Sequence, residues 1–186
     1  MIAAPETEKI VEGAGPSETI APRPRATGKF LFVGGEKFYV RGVTYGPFRP
    51  EADGGQYHRP EVVERDFALM RHHGINALRI YTLPPRWLLD LAQQRGLRVL
   101  VGLPWEQHVT FLAEPRRARD IEQRLRRAVR ECAGHPAILA YAVGNEIPAP
   151  LVRWYGHRRI QHYIQRLYWA AKDEDPQALV FVRTNR

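Results

Sequence analysis

A carboxylate, an amide, a guanidinium and several flat rings stand at the ends of short apolar runs in this sequence. Glu146 follows the run Ala137 to Val143 through the turn Gly144-Asn145-Glu146. Arg79 and Tyr81 end the run Ile75 to Tyr81, Trp105 and His108 follow Leu97 to Leu103, and Tyr45 ends Phe38 to Tyr45. A carboxylate can pass a proton, an amide and a guanidinium hold hydroxyls and oxyanions, and aromatic rings cover apolar faces. Together these groups suit a polar ligand with flat apolar faces, and a carbohydrate fits that description. Neither a metal nor a cofactor is expected. No Cys/His cluster has zinc spacing. The loop Gly46-Pro47-Phe48-Arg49-Pro50, then Asp53-Gly54-Gly55, lacks the glycine spacing of a dinucleotide-binding turn. Two blander readings stand beside the functional one: Arg79 as a member of a structural ion pair, and Trp105 as a core ring.

The elements that must position these groups alternate along the chain. After Phe30 to Val33, Gly34-Gly35 and Phe38 to Val40 read as a β-hairpin. Phe38 to Tyr45, Ile75 to Tyr81, Leu97 to Leu103, Ala137 to Val143 and Leu179 to Val182 read as strands. Pro60 to His73, Pro85 to Arg95, Arg119 to Cys132 and Val152 to Lys172 read as helices. Pro60 suits a first helical turn, and Gly74 and Gly96 suit helix stops. Strands alternating with helices predict a parallel sheet, either doubly wound or part of a barrel. In a barrel all strand C-termini share one face, where sites are built. Side-chain alternation puts Arg79 and Tyr81 with Ile75 and Ala77, away from apolar Leu78 and Ile80. It also puts Glu146 with Ala140, Ala142 and Gly144, away from Leu139, Tyr141 and Val143.

Composition narrows the partners. The chain has 186 residues, 44% hydrophobic and 26% charged, which is ordinary for a globular domain with a core. Residues 1–27, rich in Pro, Ala, Glu and Gly, are expected to form a disordered leader, and residues 28–186 the folded domain. No apolar run approaches a membrane span, and no basic start with an apolar stretch marks a secretory signal, so a cytoplasmic place is expected. Only four of the 28 basic residues are lysines, and the net charge is +8. The densest stretch, Arg116 to Arg130, pairs Asp120 with Arg124, Glu122 with Arg126 and Arg127 with Glu131 at i,i+4 spacing, opposite an apolar face. That is the solvated side of a helix, and no nucleic-acid partner is expected. Cys132, the single cysteine, falls on the apolar face and reads as a small buried hydrophobe.

These residues carry a family resemblance. Phe38-Tyr39-Val40-Arg41-Gly42-Val43-Thr44-Tyr45, Gly74-Ile75-Asn76-Ala77-Leu78-Arg79-Ile80-Tyr81 and Ala140-Tyr141-Ala142-Val143-Gly144-Asn145-Glu146 resemble strands one, two and four of retaining TIM-barrel glycoside hydrolases. The likeness is to β-galactosidase/β-glucuronidase-like barrels and to glycosidase-like domains beside family 2 glycosyltransferases in bacterial β-glucan synthases. It runs from about Phe30 to Val182. It implies a partial (β/α)8 barrel of about five parallel strands and four helices after a β-hairpin. Glu146 would be the general acid/base, Asn145 a partner of the sugar 2-hydroxyl, and Arg79 a holder of the carboxylate network. Tyr45, Tyr81, Trp105 and His108 would be substrate contacts at most. In that clan the nucleophile ends strand seven, whereas this chain reaches strand five. Glu106 and Asp53 match no nucleophile position. The expectations are therefore a truncated glycosidase, inactive alone, or a carbohydrate-binding module of a polysaccharide synthase. Its open edges would invite a homodimer.

Overall fold

The computed structural model describes residues 22–50 and 54–183; Asp53 lies outside them, as does residue range 1–21 of the expected leader. Order begins earlier than Phe30. Strand β1, Arg25–Thr27, pairs antiparallel with β2, Phe30–Val33, aligning Thr27 with Phe30 and Arg25 with Phe32. The hairpin partner of β2 is β3, Glu36–Lys37, rather than Phe38 to Val40. Phe38 adds one backbone bond to Leu31, and the chain then leaves for the larger sheet.

That sheet is built from β4 (Gly42–Thr44), β5 (Ala77–Ile80), β6 (Arg98–Gly102), β7 (Ile138–Asn145) and β8 (Val180–Arg183). All four pairings are parallel, and the spatial order equals the chain order. A doubly wound sheet reverses its order at a switch point, so the unreversed order decides for the barrel type. Between the strands run α1 (Pro60–His72), α2 (Arg86–Gln94), α3 (Pro115–Cys132), α4 (Ala149–Tyr155) and α5 (His157–Glu174). The single helix expected over Val152 to Lys172 is thus two. Gly156, at φ 79°, turns the chain between them in a conformation that side chains disfavour.

The core lies between the sheet and the helices. Leu78, Ile80, Val99, Val101, Tyr141 and Val143 meet Val63 and Phe67 of α1, Leu88 and Leu89 of α2, Ile121, Leu125 and Val129 of α3, and Tyr163 and Leu167 of α5. These helical residues recur at spacings of three and four, so each helix presents one apolar stripe to the sheet. Cys132 is buried in this layer, and burial pushes its thiol up to about 12, which leaves it protonated and unreactive. On α3 the charged face carries the expected Asp120–Arg124 and Glu122–Arg126 pairs, 2.9 and 3.3 Å apart. Arg126 and Arg130 also reach across to Asp173 and Glu174 of α5.

Two irregularities in β7 break the expected alternation. Val99 pairs with Ile138 but Leu100 with Ala140, so one residue bulges. Leu139 then lines a separate hollow with Ala77 and Leu100, instead of sharing the helix face with Tyr141 and Val143. A second shift separates the partners of Ala142 and Gly144 on β8. Here a Cβ on Gly144 would stand 3.2 Å from Val182 and 3.5 Å from Ile164, on the helix side.

Candidate functional site

The second bulge decides what reaches the barrel mouth. With Val143 and Gly144 both turned toward the helices, the next side chain directed inward is that of Asn145. Strict alternation had assigned that place to Glu146. The Asn145 carboxamide oxygen accepts a bond from Nη2 of Arg79 at 2.7 Å. Glu146 comes one residue later, half-buried, with φ 56°. Left-handed backbone at a bulky, non-glycine residue costs about 1–2 kcal/mol. Such a conformation persists where surrounding contacts fix it, and it re-aims the side chain at the end of the strand.

Those contacts come from the loop after β6. Gln107 is 8% exposed, and its carboxamide bonds both backbone groups of Asn145. Its oxygen accepts the Asn145 N–H at 2.9 Å, while its Nε2 donates to the Asn145 carbonyl. Strand β6 has ended at Gly102, so this side chain supplies the pairing that a strand would have supplied. It satisfies two buried backbone groups and holds the strand end in register. Gln107 is not among the residues expected from the sequence to form the site. The available signal was an amide between Trp105 and His108 in a loop facing the last residues of β7.

An inner hollow of about 250 Å³ opens beside this clamp, lined by Arg79, Tyr81, Trp105, Gln107, His108 and Asn145 among others. Arg79 also sits 4.5 Å from the Tyr81 ring centre, so the guanidinium is held between an amide and an aromatic face. Its Nε is buried with no partner among the described residues. Among the described residues Arg79 forms no ion pair; it is bound by a neutral amide and a ring. Trp105 donates Nε1–H to the Val143 carbonyl at 2.8 Å and packs edge-on against Phe111 and Tyr163. One ring thus serves both as core and as wall. His108 is exposed at the rim. Gly102 keeps the wall thin, since a Cβ there would lie 2.9 Å from the Ile80 carbonyl oxygen.

Tyr45 goes elsewhere. It is 5% exposed, packs edge-on against Phe48 and Phe67, and donates its hydroxyl to Asp66 at 2.9 Å. Burial, followed by the Asp66 bond, pushes that hydroxyl well above the ordinary tyrosine range. Its ring at the end of a strand was read as a site group, but the strand stops at Thr44 and the next side chain turns under α1. Of the other carboxylates considered, Glu106 points away to α3. Its 2.6 Å bond to Arg124 holds its carboxyl below the usual carboxylate range. No aspartate or glutamate lines the hollow among the described residues.

The chain is similar to known proteins in sequence and in fold. Residues 25–186 match the sequence profile of the glycosyl hydrolases family 2, TIM barrel domain. A β-glucuronidase of Bacteroides fragilis is 27% identical over 154 residues, covering 80% of this chain and 21% of that protein. A β-galactosidase of Lactococcus lactis is 31% identical over 123 residues, covering 62% of this chain and 12% of that protein. Among solved structures, a Bacteroides uniformis β-glucuronidase superposes with TM-score 0.67 at 25% identity, over 86% of this chain and 20% of that one. Saccharomyces cerevisiae Gas2p in complex with laminaripentaose superposes with TM-score 0.68 at 20% identity, over 91% of this chain and 41% of that one, which is a likeness of fold. The chain therefore spans a small fraction of its curated relatives. The profile match covers nearly the whole described length and the parallel sheet is unreversed, so this chain belongs to the glycosyl hydrolases family 2 TIM barrel domain.

Proposed function

We propose that this domain acts on β-linked oligo- or polysaccharide of the β-glucan type in a retaining glycoside hydrolase reaction. In it Glu146 is the general acid/base, Asn145 binds the sugar 2-hydroxyl, and Arg79 holds Asn145. Tyr81, Trp105 and His108 are substrate contacts. The observation that supports this reading is the clamp on Asn145, held at its side chain by Arg79 and at its backbone by Gln107. Such a clamp fixes a hydrogen-bonding amide at a barrel mouth and sets the following carboxyl in a defined direction, which is what positional catalysis requires.

The chemistry divides into two halves. Glu146 protonates the leaving oxygen and later takes a proton from the water that releases the sugar. A second carboxylate, about 5–5.5 Å across, attacks the anomeric carbon. No described residue is assigned that second role. The described sheet has β4 and β8 as its outer strands, so pairing of two copies through those edges is part of the proposal. A cytoplasmic place beside a polysaccharide-making glycosyltransferase extends the reading further.

The test compares wild type with Glu146→Gln on two substrates, a nitrophenyl β-glycoside and the corresponding disaccharide. Nitrophenolate leaves without a proton, whereas a sugar alkoxide needs one. General acid catalysis contributes about 10²–10⁴-fold. The variant should therefore lose roughly that factor on the disaccharide and much less on the nitrophenyl substrate. Equal turnover of both substrates by both proteins would overturn the role of Glu146. A second reading, carbohydrate binding without turnover, is favoured by the absence of an aspartate or glutamate from the described lining of the hollow. Saturable oligosaccharide binding that Asn145→Ala weakens, with no cleavage, would select it.

A further inference from the structure

A further hollow lies between α5 and the segment before α3, and it has no part in the function proposed above. It measures about 290 Å³ and is lined by Leu112, Arg158, Arg159, His162, Tyr163 and Arg166. Three guanidinium groups and an imidazole thus border one concavity, beside half-buried Leu112 and buried Tyr163. Arg158, His162 and Arg166 follow one another at i,i+4 on α5, and Arg159 stands in its first turn, which holds no acidic residue. Cations at that end of a helix oppose its dipole. The local sequence therefore raises a positive potential that the helix does not neutralise.

The neighbouring carboxylates neutralise it only in part. Glu122 accepts Arg166 at 2.6 Å but also bonds Arg126 at 3.3 Å. Arg158, Arg159 and His162 have no carboxylate within ion-pair distance among the described residues. The remaining contacts orient rather than neutralise: Arg159 lies 5.7 Å from the Tyr155 ring centre, and Arg166 6.0 Å from that of Tyr163. Two of the three guanidinium groups are thus held by rings or an ion pair before any ligand arrives. Planar guanidinium groups match phosphate oxygens two at a time, and fixing them beforehand lowers the ordering cost of binding.

We propose that this hollow binds the phosphate group of a small phosphate ester, with the rest of the ester over the half-buried Leu112. The size of the hollow, at the low end for ligand sites, suits a monosaccharide phosphate and excludes larger groups from full burial. This site is independent of Glu146 and of the reaction proposed above.

Calorimetric titration with glucose 6-phosphate, inorganic phosphate and glucose tests it. The expected result is saturable one-to-one binding of the sugar phosphate, weaker binding of phosphate, and none of glucose. Arg158→Ala with Arg159→Ala should weaken the sugar phosphate at least about tenfold, the scale of losing charge-assisted bonds. Both side chains are exposed, so the circular dichroism melt should not move. The control, Arg116→Ala with Arg119→Ala, removes two exposed arginines of α3 outside the hollow. Unchanged binding in that control supports a built site. Equal weakening in both double variants, or no saturable binding in wild type, overturns the proposal and leaves only diffuse surface charge.

Discussion

Strand β7 carries a polar network at each end, and the two are built on opposite principles. At its start, Asp175 is 4% exposed and accepts Arg23 at 2.8 Å, the Gly134 N–H at 3.3 Å and the Tyr141 hydroxyl at 3.4 Å. Beside it, His135 is buried, takes the Ala137 N–H on Nδ1 and bonds Asp90 through Nε2 at 3.0 Å. Because Nδ1 accepts, the ring proton sits on Nε2 and is donated to Asp90. At the other end, Asn145 is half-buried, Glu146 sits at a positive φ, and an open hollow lies alongside. Both ends carry a bulge, but one is closed and the other is strained and accessible. In barrels of this kind the first end serves stability and the second serves ligands.

The largest test of that contrast is Arg23→Ala. It leaves the Asp175 carboxylate buried without its cation, and losing one partner of a buried pair costs about 3–5 kcal/mol. Urea denaturation should show that loss in the midpoint with little change of slope. It should also show that Arg23, within the expected disordered leader, ties residues before β1 to the barrel floor. A loss below about 1 kcal/mol would mean that the floor is no stronger than a surface pair. Next in size is Gln107→Leu, at the mouth. It keeps most of the side-chain volume but leaves the N–H and C=O of Asn145 without this partner, at about 1–3 kcal/mol. The added expectation is that oligosaccharide binding falls even where the protein remains folded, because the amide of Asn145 is no longer held. Gln107→Glu discriminates further: its carboxylate can still accept the Asn145 N–H but faces the carbonyl without a donor, so it should recover only part of the loss.

The same contrast explains what was legible in the sequence. The sheet and its helices could be read because their signals are local: apolar runs of strand length, Pro60 at a helix start, glycines at helix ends. Arg79, Trp105, His108 and Asn145 could be read as mouth residues because they terminate those runs. What alternation could not deliver was the face of each residue in β7. Bulges depend on how neighbouring strands of unequal register pair, at Leu100 against Ala140 and at Val182 against Gly144. Neither is encoded in β7 alone. The roles of Gln107 and Arg23 share that cause, since each acts on a residue far along the chain, 38 and 152 positions away. Tyr45 was misplaced for a simpler reason: Phe67 and Asp66, which draw it into the core, lie on a helix whose packing angle the sequence does not state. Gly156 carried a visible signal, a glycine inside an apolar-periodic segment, and the periodicity outweighed it.

The smallest expected effect bears on the strain itself. Replacing Glu146 by Ala and by Gly removes the same side-chain interactions in both proteins, so any difference between the two reports on the backbone. At φ 56° alanine keeps a Cβ that crowds the carbonyl, whereas glycine has none. Glycine's greater freedom in the unfolded chain subtracts from that gain. The balance should leave Glu146→Gly more stable than Glu146→Ala by about 1 kcal/mol, read as a higher melting temperature. At an ordinary strand position the order would be the reverse. If Ala proves equal or better, the left-handed turn is not imposed at this residue, and the direction of the Glu146 carboxyl would follow from its contacts alone. If Gly is better, the chain holds a glutamate where its own backbone prefers glycine, and stability is given up at the one end of β7 where an open hollow and a clamped amide await a ligand.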